Sequence, residues 1–344
     1  MTKWEFLRVL GVGGAALIAR PWAARAERNR ILGGGGPEPP ATAVPASPEL
    51  RRLLVSIRVG ERRAHGLLQV FWLHGAPAAL PFPIATLDEA RGRGDLVISE
   101  RGEATLPTLV VDNRGKVHVL LLAGEILLGG KQNRVVNEDI LLPPLSGPVD
   151  IGVYCVEQGR WSGSGGTFDA RGTFAAPKVR ARAAERSGQQ RVWAEVDQYA
   201  ARAAAPSPTH GYLALYDKPE VQAHQAEVER TIDLHSAPGA LGAVVFGGDK
   251  MGALDLFGDA GLFAREWPKL LRAHAVETYG REPGKDPSEG ALRARIQDLL
   301  RQAVGASGTT RGNPGVGTLF EFRLLPRRGA ALVAEARVVH LAIL

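Results

Sequence analysis

The chain has 344 residues, 45% of them hydrophobic and 23% charged, with a formal net charge of +6 and one cysteine. This composition excludes a disordered chain and a disulfide-built scaffold, and the lack of any eighteen-residue apolar run excludes a transmembrane helix. Without residues 1–26 the chain holds 38 basic and 35 acidic side chains, a net +3 that calls for no nucleic-acid or membrane partner.

Residues 1–26 read MTKWEFLRVLGVGGAALIARPWAARA. Basic Lys3 and Arg8 precede a short apolar core, Val9 to Ala19, and Ala24-Arg25-Ala26 follows as an A-x-A cleavage site. That is the order of parts in an export signal, so cleavage after Ala26 and a periplasmic or extracellular location are expected. The leader looks like a twin-arginine one, but Lys3-Trp4 stands where the arginine pair would be. Residues 27–48 hold a Gly/Pro-rich stretch without periodicity and read as a linker. Residues 49–344 are expected to form a single domain.

From Arg52 to about Gly159 the pattern is β. LLVSIRV, GLLQVFWL, DLVISE, TLVVDN and VHVLLLAG are short alternating or β-branched runs, separated by Gly, Pro and Asp-Asn turns. Helical spacing follows at Val192, Trp193, Val196 and Tyr199, and again at Leu262, Phe263, Trp267, Leu270 and Leu271. A last helix is signed by Asp286 as N-cap, Pro287 at N1 and Glu289 at N3. GALGAVVFGG and MGALDLF form a strand pair, and GTLFEFRLL and ALVAEARVVHLAIL close the chain as two strands. The fold class is therefore α+β: a largely antiparallel, sandwich- or barrel-like N-terminal half, with helices and closing strands in the C-terminal half.

Two of the β runs break at polar clusters. In VHVLLLAGEIL the alternate residues Val117, Val119, Leu121, Ala123 and Glu125 share a face, and in VDIGVYCVE so do Val149, Ile151, Val153, Cys155 and Glu157. Each apolar face ends in a glutamate whose nearest cations in sequence are Lys131, Arg134 and Arg160. If these groups converge, Arg134 and Arg160 suit an anion, Lys131, Gln132, Asn133 and Asn137 add donors and acceptors, and Trp161 adds a stacking wall. Glu125 and Glu157 are then candidates for general acid and base. The bland alternative is that GGKQNR is a water-facing hairpin turn and Glu157–Arg160 a structural ion pair. Cys155 reads as a buried core thiol, with a nucleophile the minor alternative. His340 reads as a satisfied strand residue. GGTFDARGTF, residues 165–174, reads as a surface loop or lid. No Cys/His zinc spacing and no cofactor motif appears, although Glu125, Glu157 and Asn137 together would suit a hard cation.

AGEILLGGKQNRVVNEDILLPP together with VYCVEQGRW resembles a bacterial and archaeal domain family of unknown function, named for its association with ADP-ribosylglycohydrolase and rhodanese-phosphatase proteins. QRVWAEV, GAVVFGGDKMGALDLFGDAGLFAREWPKLL and GAALVAEARVVHLAIL are similar to its later segments, so the resemblance runs from about Leu53 to Leu344. It implies a link to ADP-ribose metabolism by association only. The motif positions here are Gly124, Glu125, Gly130, Lys131, Gln132, Asn133, Arg134, Cys155, Glu157, Gly159, Arg160 and Trp161. Three functions are expected from these readings. The first is an exported module binding a small anionic or ribosyl-type ligand. The second is a hydrolase or transferase on ADP-ribose-like or phosphorylated sugars, and the third a structural or protein-interaction module.

Overall fold

The computed structural model describes residues 42–344 apart from 77–78, 102–107, 161–165 and 283–286. The folded unit starts at Ala43. The end of the expected linker is therefore built in: Val44–Pro45 is a strand and Ser47 caps the first helix. The leader lies outside the described residues.

The strands are β1 (Val44–Pro45), β2 (Arg58–His65), β3 (Leu68–His74), β4 (Ile84–Thr86), β5 (Leu96–Ser99) and β6 (Thr108–Asn113). Next come β7 (His118–Leu121), β8 (Ile126–Gly129), β9 (Arg134–Val136), β10 (Ile140–Leu142), β11 (Gly147–Cys155) and β12 (Phe168–Asp169). The last six are β13 (Gly242–Gly247), β14 (Lys250–Phe257), β15 (Ser307–Gly312), β16 (Thr318–Leu324), β17 (Arg327–Ala334) and β18 (Arg337–Ile343). The helices are α1 (Pro48–Ser56), α2 (Leu87–Gly92), α3 (Pro177–Ala184), α4 (Gln189–Arg202), α5 (Leu213–Tyr216), α6 (Pro219–Thr231), α7 (Ala260–Thr278) and α8 (Glu289–Val304).

A nine-stranded sheet runs β1-β15-β16-β17-β18-β14-β13-β3-β2, antiparallel throughout. Both of its faces are covered. Val70 and Trp72 of β3 pack with α7 on one side, while Phe71 and Leu73 pack with α1 and α8 on the other. This is why LQVFWL reads as a continuous apolar run rather than an alternation.

The second body is a small antiparallel barrel, β12-β8-β9-β11-β6-β5. It closes where Ser99 bridges Thr167 and the Glu100 N–H donates to Gly166 O at 2.7 Å. Leu96, Ile98, Leu109, Val111, Val153 and Phe168 belong to its core, and α3 and α4 pack against Ile126 and Val135 outside. A three-stranded sheet, β10-β7-β4, holds the parallel pair β4–β7. The architecture is thus the expected α+β one, with a barrel-like antiparallel N-terminal half. No helix among the described residues is long and apolar enough to cross a membrane.

Four local expectations are corrected. LLVSIRV is largely helix: Ser47 accepts from Leu50 N, Pro48 opens the helix, and Leu50, Leu53 and Leu54 bury one face. The last helix takes its cap from Ser288, which accepts from Ala291 N, and Asp286 lies outside the described residues. ALVAEARVVHLAIL is a hairpin, β17–β18, turning at Glu335-Ala336. GGTFDARGTF is no lid in its described part: Phe168–Asp169 is the strand that closes the barrel, with Phe168 and Phe174 buried.

Candidate functional site

GGKQNR is the turn of the β8–β9 hairpin, where Ile126 pairs with Val135 and Leu127 with Arg134. It does not face water. Gln132, Asn133 and Arg134 are buried, while Lys131 is exposed. Gly129 and Gly130 have φ of 143° and 51° and sit against β12: a Cβ on Gly129 would lie 2.3 Å from Thr167 O. Glycine is required here by both conformation and close approach.

Arg160 closes this turn onto the end of β11. Its Nε donates to Glu157 Oε2 at 2.8 Å, Nη1 to Gly130 O at 2.9 Å and Nη2 to Asn133 Oδ1 at 3.1 Å. Glu157 is also held by the Thr209 hydroxyl at 2.9 Å and the Asn133 N–H at 3.4 Å. Arg134 donates to Gln132 O at 2.9 Å and lies 3.7 Å from Glu100. Gln132 in turn donates to Gln158 O. Two guanidiniums and two carboxylates thus satisfy one another and the hairpin's carbonyls, as buried charges must. Burial pushes the Cys155 thiol up, against the opposing pull of Arg134, so the thiolate is disfavoured. Trp161 lies outside the described residues.

Glu125 is not part of this cluster. It is 1% exposed and takes its cation from α7: Lys269 Nζ lies 2.6 Å from Glu125 Oε1, 2.7 Å from Glu266 Oε2 and 3.1 Å from Asp88 Oδ2. The Glu266 contact is close enough for charge pairing but misaligned for a hydrogen bond. One ammonium thus faces three carboxyl groups. Burial, opposed by Lys269 and reinforced by Glu266, raises the Glu125 pKa to about 8. The two glutamates expected to act together are therefore held in separate networks.

A second buried chain went unread in the sequence. Arg180 donates to Asp255 at 3.0 Å and to Ala123 O at 2.7 Å. His340 lies between Asp255 (3.1 Å) and Asp139 (2.6 Å), and Asp139 also accepts from Ala123 N at 2.8 Å. His340 is satisfied, as its strand setting suggested, but it is satisfied by two carboxylates. Burial lowers its pKa and the two carboxylates more than reverse this, to about 9. The available signal was a polar residue interrupting an apolar strand, as in GALDLF and VVHLAIL.

Two cavities bear on binding. Asn137, Glu138 and Asp139 line one of about 30 Å³, room for about a single water. The other, of about 440 Å³, lies between the end of α6 and the face of α7. Ile232, Leu234, Ala264, Trp267 and Leu271 line it, with Glu229, Asp233 and His235 among its polar groups. The indole N–H of Trp267 is buried and has no hydrogen-bond partner among the described residues.

The model of one protein family, the ARG and Rhodanese-Phosphatase-superfamily-associated Protein domain, matches residues 56–344. The chain belongs to this family, ARPP-1. Neither a curated protein nor a solved structure matches it. The ARPP-1 match spans the barrel, strands β2 to β18 and all three charge networks, leaving out β1 and nearly all of α1, so it covers most of the fold rather than the hairpin motif alone.

Proposed function

We propose that this ARPP-1 chain is a small-ligand-binding module whose ligand seats in the 440 Å³ cavity between α6 and α7. One observation carries the reading: a cavity of ligand size is walled by Ile232, Leu234, Trp267 and Leu271, with Glu229, Asp233 and His235 among its polar groups. The fitting ligand has an apolar ring or short chain to pack on these walls and a neutral or cationic polar group toward Glu229 and Asp233. The acidic groups Glu229 and Asp233 disfavour an anion there. The GGKQNR–CVEQGRW cluster is a clasp in this reading. Its guanidiniums are engaged, and Glu157 accepts three hydrogen bonds that hold it in the clasp rather than aim it at a ligand.

A second reading keeps the anionic or ribosyl-type ligand at the clasp. It is favoured by the 27% exposure of the Arg160 side chain. The leader-like residues 1–26 support a place outside the cytoplasm for either function. An intact N-terminus in protein from the native host, read by mass spectrometry, would refute export by cleavage.

A thermal-shift screen separates the two sites. The panel holds apolar amides and carboxylic esters, nucleosides, ADP-ribose and phosphate. A ligand at 100 times its Kd adds about 2.7 kcal/mol to the native state. The cavity reading expects stabilisation that is lost in Ala264→Phe, which fills the cavity, and kept in Arg160→Ala. Stabilisation by anions that is lost instead in Arg160→Ala moves the site to the clasp. A panel that stabilises nothing sinks both.

A further inference from the structure

Helix α6 carries His224 and Glu227 at i and i+3, which puts both on one face. That face meets His65, the last residue of β2, the edge strand of the nine-stranded sheet. One ligand atom from each of the three residues lies within 4.8 Å of the other two. His65 Nε2 is 3.9 Å from Glu227 Oε2, and the two imidazole rings are 6.0 Å apart.

The hydrogen bonds behind the rings set which nitrogens face one another. The Thr231 hydroxyl donates to Glu227 O at 2.9 Å, so toward His65 Nδ1, 3.3 Å away, it acts as acceptor. The Thr278 hydroxyl donates to Ala275 O at 3.0 Å, so it likewise accepts from His224 Nε2 at 3.3 Å. His65 then carries its proton on Nδ1 and His224 on Nε2. Each ring is left with a bare lone pair on its other nitrogen. For His65 that lone pair lies on the side of the Glu227 carboxylate, a place for a proton or a metal cation between them. Metal-binding histidines ordinarily donate their other N–H to a carboxylate, carbonyl or water, and the Thr231 and Thr278 hydroxyls stand in that place here.

We infer that His65, His224 and Glu227 bind a divalent first-row transition ion, of which Zn²⁺ is the fitting case. Two imidazoles and one carboxylate are the three-ligand set that holds zinc and leaves a further position for water. Drawing the three donors in to roughly 3.3 Å from one another, as tetrahedral bonds of about 2.0–2.1 Å require, needs only side-chain adjustment, since Glu227 is half exposed. The ion would fasten α6 to the sheet edge. His65 stands far from the other two in sequence, so no spacing motif announces the set. The inference is independent of the cavity reading, since it uses other residues.

The test uses the full chain, freed of metal with a chelator and titrated with Zn²⁺ alone against a chromogenic competitor. One equivalent should bind and raise the melting temperature, and Co²⁺ should give a visible spectrum of low coordination number. His224→Ala and Glu227→Gln should each weaken binding at least tenfold, and Thr231→Val about tenfold through its ring partner. His210→Ala, on an exposed loop, should leave binding unchanged. No stoichiometric binding to the wild type overturns the inference. So does binding that Glu227→Gln leaves intact, and that variant decides the matter even if His224→Ala fails to fold.

Discussion

Lys269 is the buried cation that three carboxyl groups share. Its side chain is 4% exposed and it is the cation closest to Glu125 and Glu266, which are themselves sealed at 1% and 0%. Removing one partner of a buried pair leaves an uncompensated charge and costs about 3–5 kcal/mol. Lys269→Met should therefore lower stability by about that much in a urea titration. The sign of a second variant distinguishes charge from packing. Glu125 is already pushed toward its neutral form, so Glu125→Gln should be mild alone and should recover part of the loss when combined with Lys269→Met. A double variant no better than Lys269→Met would show that the lysine's alkyl stem, and not its charge, is what the site needs.

At the scale of elements, turns decide what the sequence reveals. The β8–β9 hairpin was legible as a turn because Gly129-Gly130 interrupts an apolar run, but its burial was not. The reason is the segment that enters β12, whose Thr167 and Phe168 lie over the glycines from about forty residues downstream. The β17–β18 turn was illegible for the opposite reason. Glu335 and Ala336 adopt φ of 48° and 55°, a conformation usually signed by Asn-Gly, so ALVAEARVVHLAIL looked like one strand. Glu335→Asn with Ala336→Gly should stabilise the protein by about 1 kcal/mol, since left-handed Ala and Glu are strained. Gly129→Ala should destabilise it by more than that, because a backbone carbonyl cannot step aside. A urea midpoint that fails to rise in the first case would mean the turn relaxes at no cost. The candidate site was legible only where its partners were local. Glu157–Arg160 is three residues apart and was read, whereas Glu125 and Lys269 are 144 apart. Sequence proximity assigned Glu125 the wrong cations, because the helix that supplies the right one reaches it through the fold.

Across the whole molecule, these buried ionisable groups set the pH range of stability. Between its ordinary value of 6.5 and its folded value of about 9, His340 holds more proton in the native state than in the unfolded chain. Its contribution is complete below pH 6.5 and is lost as pH rises through 9. Glu125, raised from 4.5 to about 8, also binds more proton when folded, so it too loses stability as pH rises through that window. His274 has the opposite sign: burial lowers its pKa from 6.5 to about 4, so its contribution is lost as pH falls through that range. Asp255 adds to the acid side, because Arg180 and His340 outweigh its burial and hold its pKa well below the usual carboxylate range. Glu125 and His274 oppose each other between about pH 4.5 and 6.5, whereas Glu125 and His340 act together above 6.5. The melting temperature should therefore be nearly level from pH 5 to 6.5 and fall from 6.5 to 9, with a total loss on the order of a few kcal/mol. His340→Asn lowers stability at every pH, but it should also remove the part of the decline between about pH 8 and 9, where Glu125 has finished titrating. A wild-type melting temperature that rises across pH 6.5–9 would contradict the assignment. So would a His340→Asn profile parallel to the wild type, since the alkaline slope would then not come from the Asp139–His340–Asp255 chain.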